Sequence, residues 1–204
     1  MKKMEYKIIG SGVFSKIIEI DDGKKVLKAF KRDNKMFEGM EYTSCKDREL
    51  ILKAVCFTEM KAYQILHEGK ELSRYIPHFY GTYNPALIDE TAYIQDAGFI
   101  IEKIKKEQFG TDIKFNALSQ TQKIAVQPIL LEISEKLRPL NIESEDACCF
   151  YINQDNFRFI DFALWKYSPY LEELERHDEL SEKSKKALEL LCTQLKTSIN
   201  QVNL

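Results

Sequence analysis

The spacing of apolar residues predicts strands at the start of the chain. Apolar and polar residues alternate over 5–30, in three runs at 6–9, 16–20 and 25–30, which is the period of a half-buried strand. The segment Asp21-Asp22-Gly23 between the last two runs is typical of a hairpin turn. We therefore expect the chain to open with three antiparallel strands.

A helical period over residues 49–67 interrupts this strand pattern. Apolar residues recur there every three or four positions, which predicts one long helix. Short apolar runs at 79–83, 91–94 and 98–101 then predict two or three more strands. Residues 1 to about 103 are thus expected to form a small antiparallel sheet with one inserted helix.

The next long periodic segment predicts a second helix between residues 118 and 137. Its apolar stripe includes Ile124, and Ser119 or Thr121 can cap its first turn. Pro128 lies inside the segment and predicts either a kink or a break between two helices.

The end of the chain adds a hairpin and more helices to this prediction. The hairpin is expected at 150–152 and 157–160, and helical stretches are expected near 169–177 and 181–199. The chain is therefore predicted to be a single α+β domain, in which residues from about 104 to 204 form a reduced and mostly helical second part.

The composition is that of a globular domain, and it excludes several classes of function. Lys and Arg number 30 and Asp and Glu number 32, so the net charge of −2 offers no field for nucleic acid or an anionic membrane. No apolar run approaches the roughly 18–20 residues of a transmembrane helix. The five cysteines have no repeated spacing, which favours reduced thiols in the cytoplasm over disulfides or a zinc site.

A glycine-containing segment lies between the first two predicted strands. It begins Gly10-Ser11-Gly12 and continues to Ser15. Rossmann and Walker loops each open a helix, so this position argues against both. A glycine-rich loop between antiparallel strands is either an ordinary hairpin or a loop that folds over nucleotide phosphates, which a bare backbone can approach closely.

Lys28 and Glu59 are a candidate ion pair. Lys28 lies in the apolar third strand, where a lysine either extends to solvent or binds phosphates. A buried ammonium group needs a carboxylate partner, and Glu59 in the following helix can be that partner. Taken singly, each residue has its ordinary explanation as a solvated surface residue.

Asp161 ends the second strand of the predicted hairpin and is followed by Phe162. A carboxylate at the end of a rigid strand is well placed to bind Mg²⁺ beside phosphates. The alternative is an aspartate that caps a strand–helix junction.

In this order, the four features resemble the protein kinase fold over roughly residues 5–165. The resemblance implies a bilobal protein, with an antiparallel sheet and one helix in the first lobe and a truncated, mostly helical second lobe. The residues that it assigns to ATP and Mg²⁺ are Gly10, Ser11, Gly12, Lys28, Glu59, Glu102 and Asp161.

The resemblance also implies a role for each of these residues. The glycine loop covers the phosphates, and Lys28 binds them while paired with Glu59. Glu102 falls in the hinge that holds the adenine, and Asp161 binds Mg²⁺. Asp146 is the counterpart of the catalytic base that orients the acceptor hydroxyl.

The catalytic loop and the C-terminal part depart from the family pattern, and the departure at the C-terminus is the larger. The His-Arg-Asp motif has no clean match, and Ser144-Glu145-Asp146 is its most natural counterpart. Cys149 occupies roughly the place of the second metal-binding Asn, and Ala163 replaces the Gly of Asp-Phe-Gly. About 40 residues follow Asp161, and no activation segment is recognisable among them.

This shortened pattern is similar to the minimal kinases that bacterial pathogens deliver into host cells. The similarity implies a Ser/Thr protein kinase whose substrate is a host or partner protein, such as a heat-shock chaperone or a component of the ubiquitin pathway. Such a protein acts in the cytoplasm or after secretion into a host cell. The strand pattern that begins near Tyr6 shows no disordered leader and argues against this group, and a viral kinase-like protein would look much the same.

Three other functions stay open at this point. A pseudokinase, which binds a nucleotide or a protein without transfer, agrees with the eroded catalytic loop. A small-molecule phosphotransferase of the same superfamily would generally keep the Asp-to-Asn spacing. An interaction domain with chance motifs is favoured if Lys28 and Asp161 are distant. Cys148 and Cys149 are either buried small residues or oxidation-sensitive neighbours of the site.

Overall fold

The computed structural model describes residues 6–12, 14–32, 45–69, 71–140, 148–162 and 182. These residues form two antiparallel sheets and three α-helices, so the predicted α+β class is confirmed. The strands are β1 (Lys7–Ser11), β2 (Ser15–Ile20), β3 (Lys25–Lys31), β4 (Phe79–Thr82), β5 (Tyr93–Glu102), β6 (Asp112–Lys114), β7 (Cys148–Asn153) and β8 (Asn156–Ile160). The helices are α1 (Cys45–Glu68), α2 (Lys106–Phe109) and α3 (Gln120–Leu137).

The first sheet has five strands in the order β1-β2-β3-β5-β4. All neighbouring strands in it are antiparallel, and the predicted opening of three strands is confirmed. The connection between β2 and β3 has left-handed backbone at Asp21 (φ 53°) and Gly23 (φ 78°). Asp and Gly adopt this conformation more readily than most residues, which is why residues 21–23 mark the turn in the sequence.

β5 joins two of the predicted strands into one. The apolar runs at 91–94 and 98–101 are connected through Asp96, which has left-handed backbone (φ 59°), and the register with β3 shifts between Ala29 and Lys31. The strand therefore continues through a local irregularity. A break in the apolar pattern looks the same in the sequence whether the strand ends there or only bends.

α1 lies over the first sheet and contributes much of the core. It begins at Cys45, four residues before the predicted start, and ends at Glu68. Cys56, Tyr63 and Leu66 on this helix are fully buried, at the spacing of one helical face. The same face buries Glu59, so the helix carries a carboxylate into the apolar interior.

α3 confirms the predicted helix and its cap. The Ser119 hydroxyl accepts a hydrogen bond from the Gln122 amide, and the Gln122 side chain accepts one from the Ser119 amide. Pro128 lies inside the helix without ending it. The placement of Ile124 on the apolar stripe is wrong, because its side chain is 61% exposed. The residues that α3 buries are Val126, Leu130, Ile133 and Leu137, and position 124 lies about 200° around the helix from position 126.

The second sheet has three strands in the order β6-β7-β8. β7 and β8 form the predicted hairpin, and the Asn153 side chain accepts hydrogen bonds from the Asp155 and Asn156 amides in its turn. The sequence does not predict β6, whose three residues are too few for a periodic signal. One hydrophobic core runs between both sheets, α1 and α3.

The predicted helices near 169–177 and 181–199 lie outside the described residues, apart from Glu182, which is helical. None of the described helices has the length and apolar character that crossing a membrane requires.

Candidate functional site

Lys28 on β3, Glu59 on α1 and Asp161 after β8 form one ion cluster. The Lys28 ammonium group donates to both Glu59 oxygens, at 2.8 and 2.7 Å, and to Asp161 Oδ1 at 2.6 Å. These are the distances of charge-assisted hydrogen bonds. One cation therefore holds together two carboxylates from distant parts of the chain.

Each member of the ion cluster is positioned by a different element. β3 is paired on both sides, so Lys28 is fixed between Ile17 on β2 and Phe99 on β5. Glu59 faces the sheet from α1 and is 2% exposed. Asp161 directly follows β8 with left-handed backbone (φ 64°). This conformation is uncommon for a residue with a side chain, and such residues concentrate at functional sites.

Three aromatic rings pack beside the ion cluster and fix the segment that carries Asp161. The buried Phe162 ring meets the Tyr63 ring edge-on, with centroids 5.2 Å apart. Tyr63 in turn stacks on Phe79, with centroids 6.3 Å apart. Aromatic contacts of these kinds stabilise beyond their buried area. Tyr63 belongs to the apolar period that predicts the helix over residues 49–67, and its position one helical turn after Glu59 is the signal that it lies beside the site.

The surroundings of the ion cluster shift the pKa values of its three members by different amounts and in different directions. Burial raises the pKa of Glu59 to about 7, against the opposing charge of Lys28 and with a further increase from Asp161. Burial acts to lower the pKa of Lys28, but the charges of Asp161 and Glu59 outweigh it and raise that pKa. The charge of Lys28 lowers the pKa of Asp161, which burial opposes. Glu59 is thus the member that changes protonation near neutral pH.

The titration of Glu59 predicts a pH-dependent stability. Its pKa is about 7 in the folded protein against an ordinary value of 4.5, so the folded protein binds the extra proton between these values. The stabilising contribution of that proton is lost as the pH rises through about 7. Between about pH 4.5 and 7, urea denaturation is expected to show the free energy of unfolding of the wild type falling relative to that of Glu59→Gln, with little further change above about pH 8.

The matched control for this experiment is Glu68→Gln, since Glu68 is exposed on the same helix. Its free energy of unfolding should follow that of the wild type at each pH. A difference between the wild type and Glu59→Gln that stays constant over the whole range would contradict the raised pKa of Glu59.

Gly10, Ser11 and Gly12 lie at the edge of the first sheet. Strand pairing places Gly10 two strands away from Lys28 of the ion cluster. Gly10 pairs with Ile17, and Ile17 pairs with Lys28, so the three positions form a row across three strands. With neighbouring strands about 4.8 Å apart, Gly10 lies about 10 Å from Lys28. Side chains in such a row share a face of the sheet, so the missing side chain at Gly10 leaves space on the face that carries Lys28.

A tight turn and one lysine hold the tip of this glycine loop. The Gly12 amide donates to the Ser15 carbonyl at 2.9 Å, and Lys31 Nζ donates to the Gly12 carbonyl at 2.8 Å. A Cβ atom at Gly10 would make an ordinary contact at 3.5 Å, and one at Gly12 would lie 3.9 Å from its nearest neighbour. Neither glycine has a left-handed backbone. Within the described part of the chain, packing therefore requires glycine at neither position.

Glu102 is not part of the ion cluster. It ends β5, where its side chain accepts a hydrogen bond from the His78 amide at 3.2 Å. Its own amide donates to the His78 carbonyl at 2.8 Å. The structure thus places Glu102 where β5 meets the segment before β4. Asp146, the candidate base, lies outside the described residues.

Cys148 and Cys149 are buried free thiols. Burial raises the pKa of Cys149 to about 12, which makes its thiol a poor nucleophile. The Cys148 thiol hydrogen-bonds to the Asp161 carboxylate and contributes to the lowered pKa of that group. The geometry favours the interpretation of Cys149 as a buried small residue, while Cys148 borders the ion cluster.

The described residues contain no group of three or more His, Cys, Asp or Glu side chains arranged to hold a metal ion by themselves. Comparisons of the chain with protein-family models, with curated proteins and with solved structures found no match.

Proposed function

We propose that this protein is an ATP-dependent Ser/Thr protein kinase of minimal type, with a kinase-like bilobal fold. The observation that carries the proposal is the ion cluster. The sequence selects Lys28, Glu59 and Asp161 as phosphate-binding lysine, partner carboxylate and metal-binding carboxylate. Lys28 lies within 2.8 Å of both carboxylates, although they are 31 and 133 residues away in the chain. This contact also argues against an interaction domain with chance motifs.

The donor groups of the ion cluster fit the phosphates of ATP and one Mg²⁺ ion. Lys28 provides a cation that can bind phosphate oxygens. Its ion pair with Glu59 fixes the position of this cation. The Asp161 side chain is 42% exposed, so its carboxylate is accessible to a hard cation that prefers oxygen ligands. When bound, ATP would supply the phosphoryl group, and Mg²⁺ would neutralise the negative charge that develops on this group during transfer. In this proposal Asp146 orients the acceptor hydroxyl.

The glycine loop supports the same assignment. Since the packing of the described residues demands glycine at neither Gly10 nor Gly12, a requirement for close approach by a ligand explains both residues. The backbone amides of glycine residues can approach phosphate oxygens directly, because no side chain stands in the way. The hydrogen bonds that Gly12 makes with Ser15 and Lys31 hold this backbone at the edge of the first sheet.

The proposal is tested by incubating the purified protein with Mg²⁺ and γ-labelled ATP, alone and with a general protein substrate. We expect label on the protein or the substrate, and a rise in melting temperature on addition of Mg-ATP. The absence of both label and a thermal shift would overturn the proposal. In a parallel incubation with an aminoglycoside or a sugar, label on that compound with none on protein would instead identify a small-molecule phosphotransferase.

The glycine loop gives a separate prediction. Gly10→Ala and Gly12→Ala should each keep the melting temperature of the wild type, because the added methyl group meets only ordinary contacts. Each should weaken Mg-ATP binding by about tenfold or more, since the methyl group lies where the phosphates approach. Isothermal titration calorimetry and thermal denaturation measure the two effects.

Gly98→Ala is the matched control for these variants. A Cβ at Gly98 would lie 3.1 Å from the Tyr83 carbonyl oxygen and 3.2 Å from the Lys28 carbonyl oxygen, so this methyl group overpacks the sheet. It should destabilise the fold by about 1–3 kcal/mol. If Gly10→Ala and Gly12→Ala reduce stability as Gly98→Ala does and leave affinity unchanged, these glycines serve the fold and not a ligand.

A pseudokinase is the second candidate, and the position of Cys149 favours it. Cys149 occupies roughly the place of the second metal-binding Asn of the family, and its side chain is fully buried in the core. It therefore offers no ligand to a second metal ion. A thermal shift with Mg-ATP in the absence of any labelled product would identify this function.

The proposed acceptor is a hydroxyl group of a host or partner protein, such as a chaperone or a component of the ubiquitin pathway. The proposed location is the cytoplasm, including that of a host cell after secretion. This part of the proposal rests on the resemblance to minimal effector kinases alone.

A further inference from the structure

The Tyr63 hydroxyl group is buried without a hydrogen-bond partner among the described residues. The side chain is fully buried, with its ring against Phe162, Phe79 and Phe99. A hydroxyl group taken from water into such a place loses its hydrogen bonds to solvent, which destabilises the folded protein. Buried polar groups of this kind are few in native structures, and this one lies beside the proposed site.

The polar surroundings of this hydroxyl group belong to the ion cluster. Burial raises the pKa of Tyr63 well above its ordinary value, and the negative charges of Glu59 and Asp161 raise it further. The Tyr63 ring meets the ring of Phe162, the residue after Asp161, edge-on with centroids 5.2 Å apart, and Tyr63 follows Glu59 by one turn of α1. Both carboxylate-bearing residues are therefore neighbours of Tyr63 in the structure, and a carboxylate oxygen is a suitable acceptor for its hydroxyl proton.

Both carboxylates accept hydrogen bonds from Lys28 in the structure. Glu59 accepts from Lys28 through both of its oxygens, and Asp161 accepts from Lys28 through Oδ1. In the proposed function, phosphate oxygens compete for the Lys28 ammonium group, which has three donor hydrogens. Asp161 then loses the hydrogen bond that it accepts from Lys28. Tyr63 lies one turn of α1 after Glu59, and its hydroxyl group is a donor that has no acceptor among the residues that the structure describes.

We propose that Tyr63 is a positioning residue that donates a hydrogen bond to the Asp161 carboxylate when a magnesium nucleotide engages Lys28. The inference rests on the proposed function and extends it. The hydroxyl group replaces Lys28 as the donor, and it holds Asp161 in the orientation that leaves its remaining oxygen for the metal ion. Phe162, fixed against the same tyrosine ring, limits the movement of the segment while this exchange occurs.

Tyr63→Phe tests the inference, because it removes the hydroxyl oxygen and keeps the ring contacts. Without nucleotide, the variant should melt at the same temperature as the wild type or higher, since the lost group has no partner to lose. With Mg-ATP, its dissociation constant should rise by about ten- to one-hundredfold, the effect of one hydrogen bond to a charged acceptor. At saturating ATP, the Mg²⁺ concentration for half-maximal binding should rise as well.

Tyr93→Phe is the control, because Tyr93 is also buried but lies in the separate cluster with Ile18, Leu27 and Ala29. It should leave the dissociation constant for Mg-ATP unchanged. The inference is overturned if Tyr63→Phe binds Mg-ATP as the wild type does, or if it melts at a lower temperature without nucleotide. Failure of the wild type to bind Mg-ATP would reject the proposed function itself, and this inference with it.

Discussion

Replacing Lys28 with methionine is expected to abolish phosphoryl transfer and to lower the free energy of unfolding by about 3–5 kcal/mol. Methionine has a similar length and fills the space, but it leaves Glu59, 2% exposed, without a cation. An unpaired buried carboxylate must either carry an unsolvated charge or bind a proton. The loss of stability should therefore be larger at pH 8 than at pH 6, where protonation of Glu59 relieves part of it.

Urea denaturation and the labelled-ATP assay measure the two effects of Lys28→Met. Lys25→Met is the matched control on the same strand. Lys25 pairs with Asp21, whose side chain is half exposed, so its loss should leave the stability close to that of the wild type, because solvent screens an exposed ion pair. Adding Glu59→Gln to Lys28→Met should restore much of the stability and none of the activity. Unchanged stability in Lys28→Met would mean that the buried ion pair is absent in solution.

Asp161→Asn is expected to separate activity from stability. The substitution removes the charge that would bind Mg²⁺, and the loss of a metal ligand of this kind should reduce transfer by at least about a hundredfold. The fold should change little, because asparagine accepts the left-handed backbone that Asp161 adopts (φ 64°). Lys28 also keeps its two hydrogen bonds to Glu59.

Thermal denaturation and the labelled-ATP assay are again the measurements for Asp161→Asn. Asp96→Asn is the matched control, since Asp96 is an exposed aspartate with left-handed backbone (φ 59°) inside β5. It should retain the activity and the melting temperature of the wild type. Full activity in Asp161→Asn would exclude Asp161 as the metal-binding carboxylate.

The elements of the fold were predictable where their signals are local. Strand alternation, the Asp-Asp-Gly turn and the capping residues each act over a few positions, and β1 to β3, α3 and the β7–β8 hairpin follow the expected pattern. Prediction failed where a longer-range contact decides the outcome. β6 exists because Asp112 to Lys114 pair with β7, and Ile124 is exposed because α3 packs through the neighbouring positions.

The candidate site was predictable in part for the same reason. Lys28 lies within an apolar strand and Asp161 directly after one. A charged residue in or next to an apolar run can be recognised from the sequence alone. Tyr63 did not stand out, because an aromatic residue at helical spacing is ordinary in a core. Its proposed role arises from the burial of its hydroxyl group beside the ion cluster, which depends on how α1 packs against the sheet.

The order of the motifs along the sequence was sufficient to choose the three charged residues, and long-range packing brought them together. Glu59 reaches Lys28 because α1 lies across the first sheet, and Asp161 reaches it because the buried Phe162 holds the end of β8 against Tyr63. Periodicity and turn chemistry describe neighbours along the chain. A distance of 2.6 Å between residues 133 positions apart is set by the core that buries the elements between them, since only close packing fixes side chains to that precision.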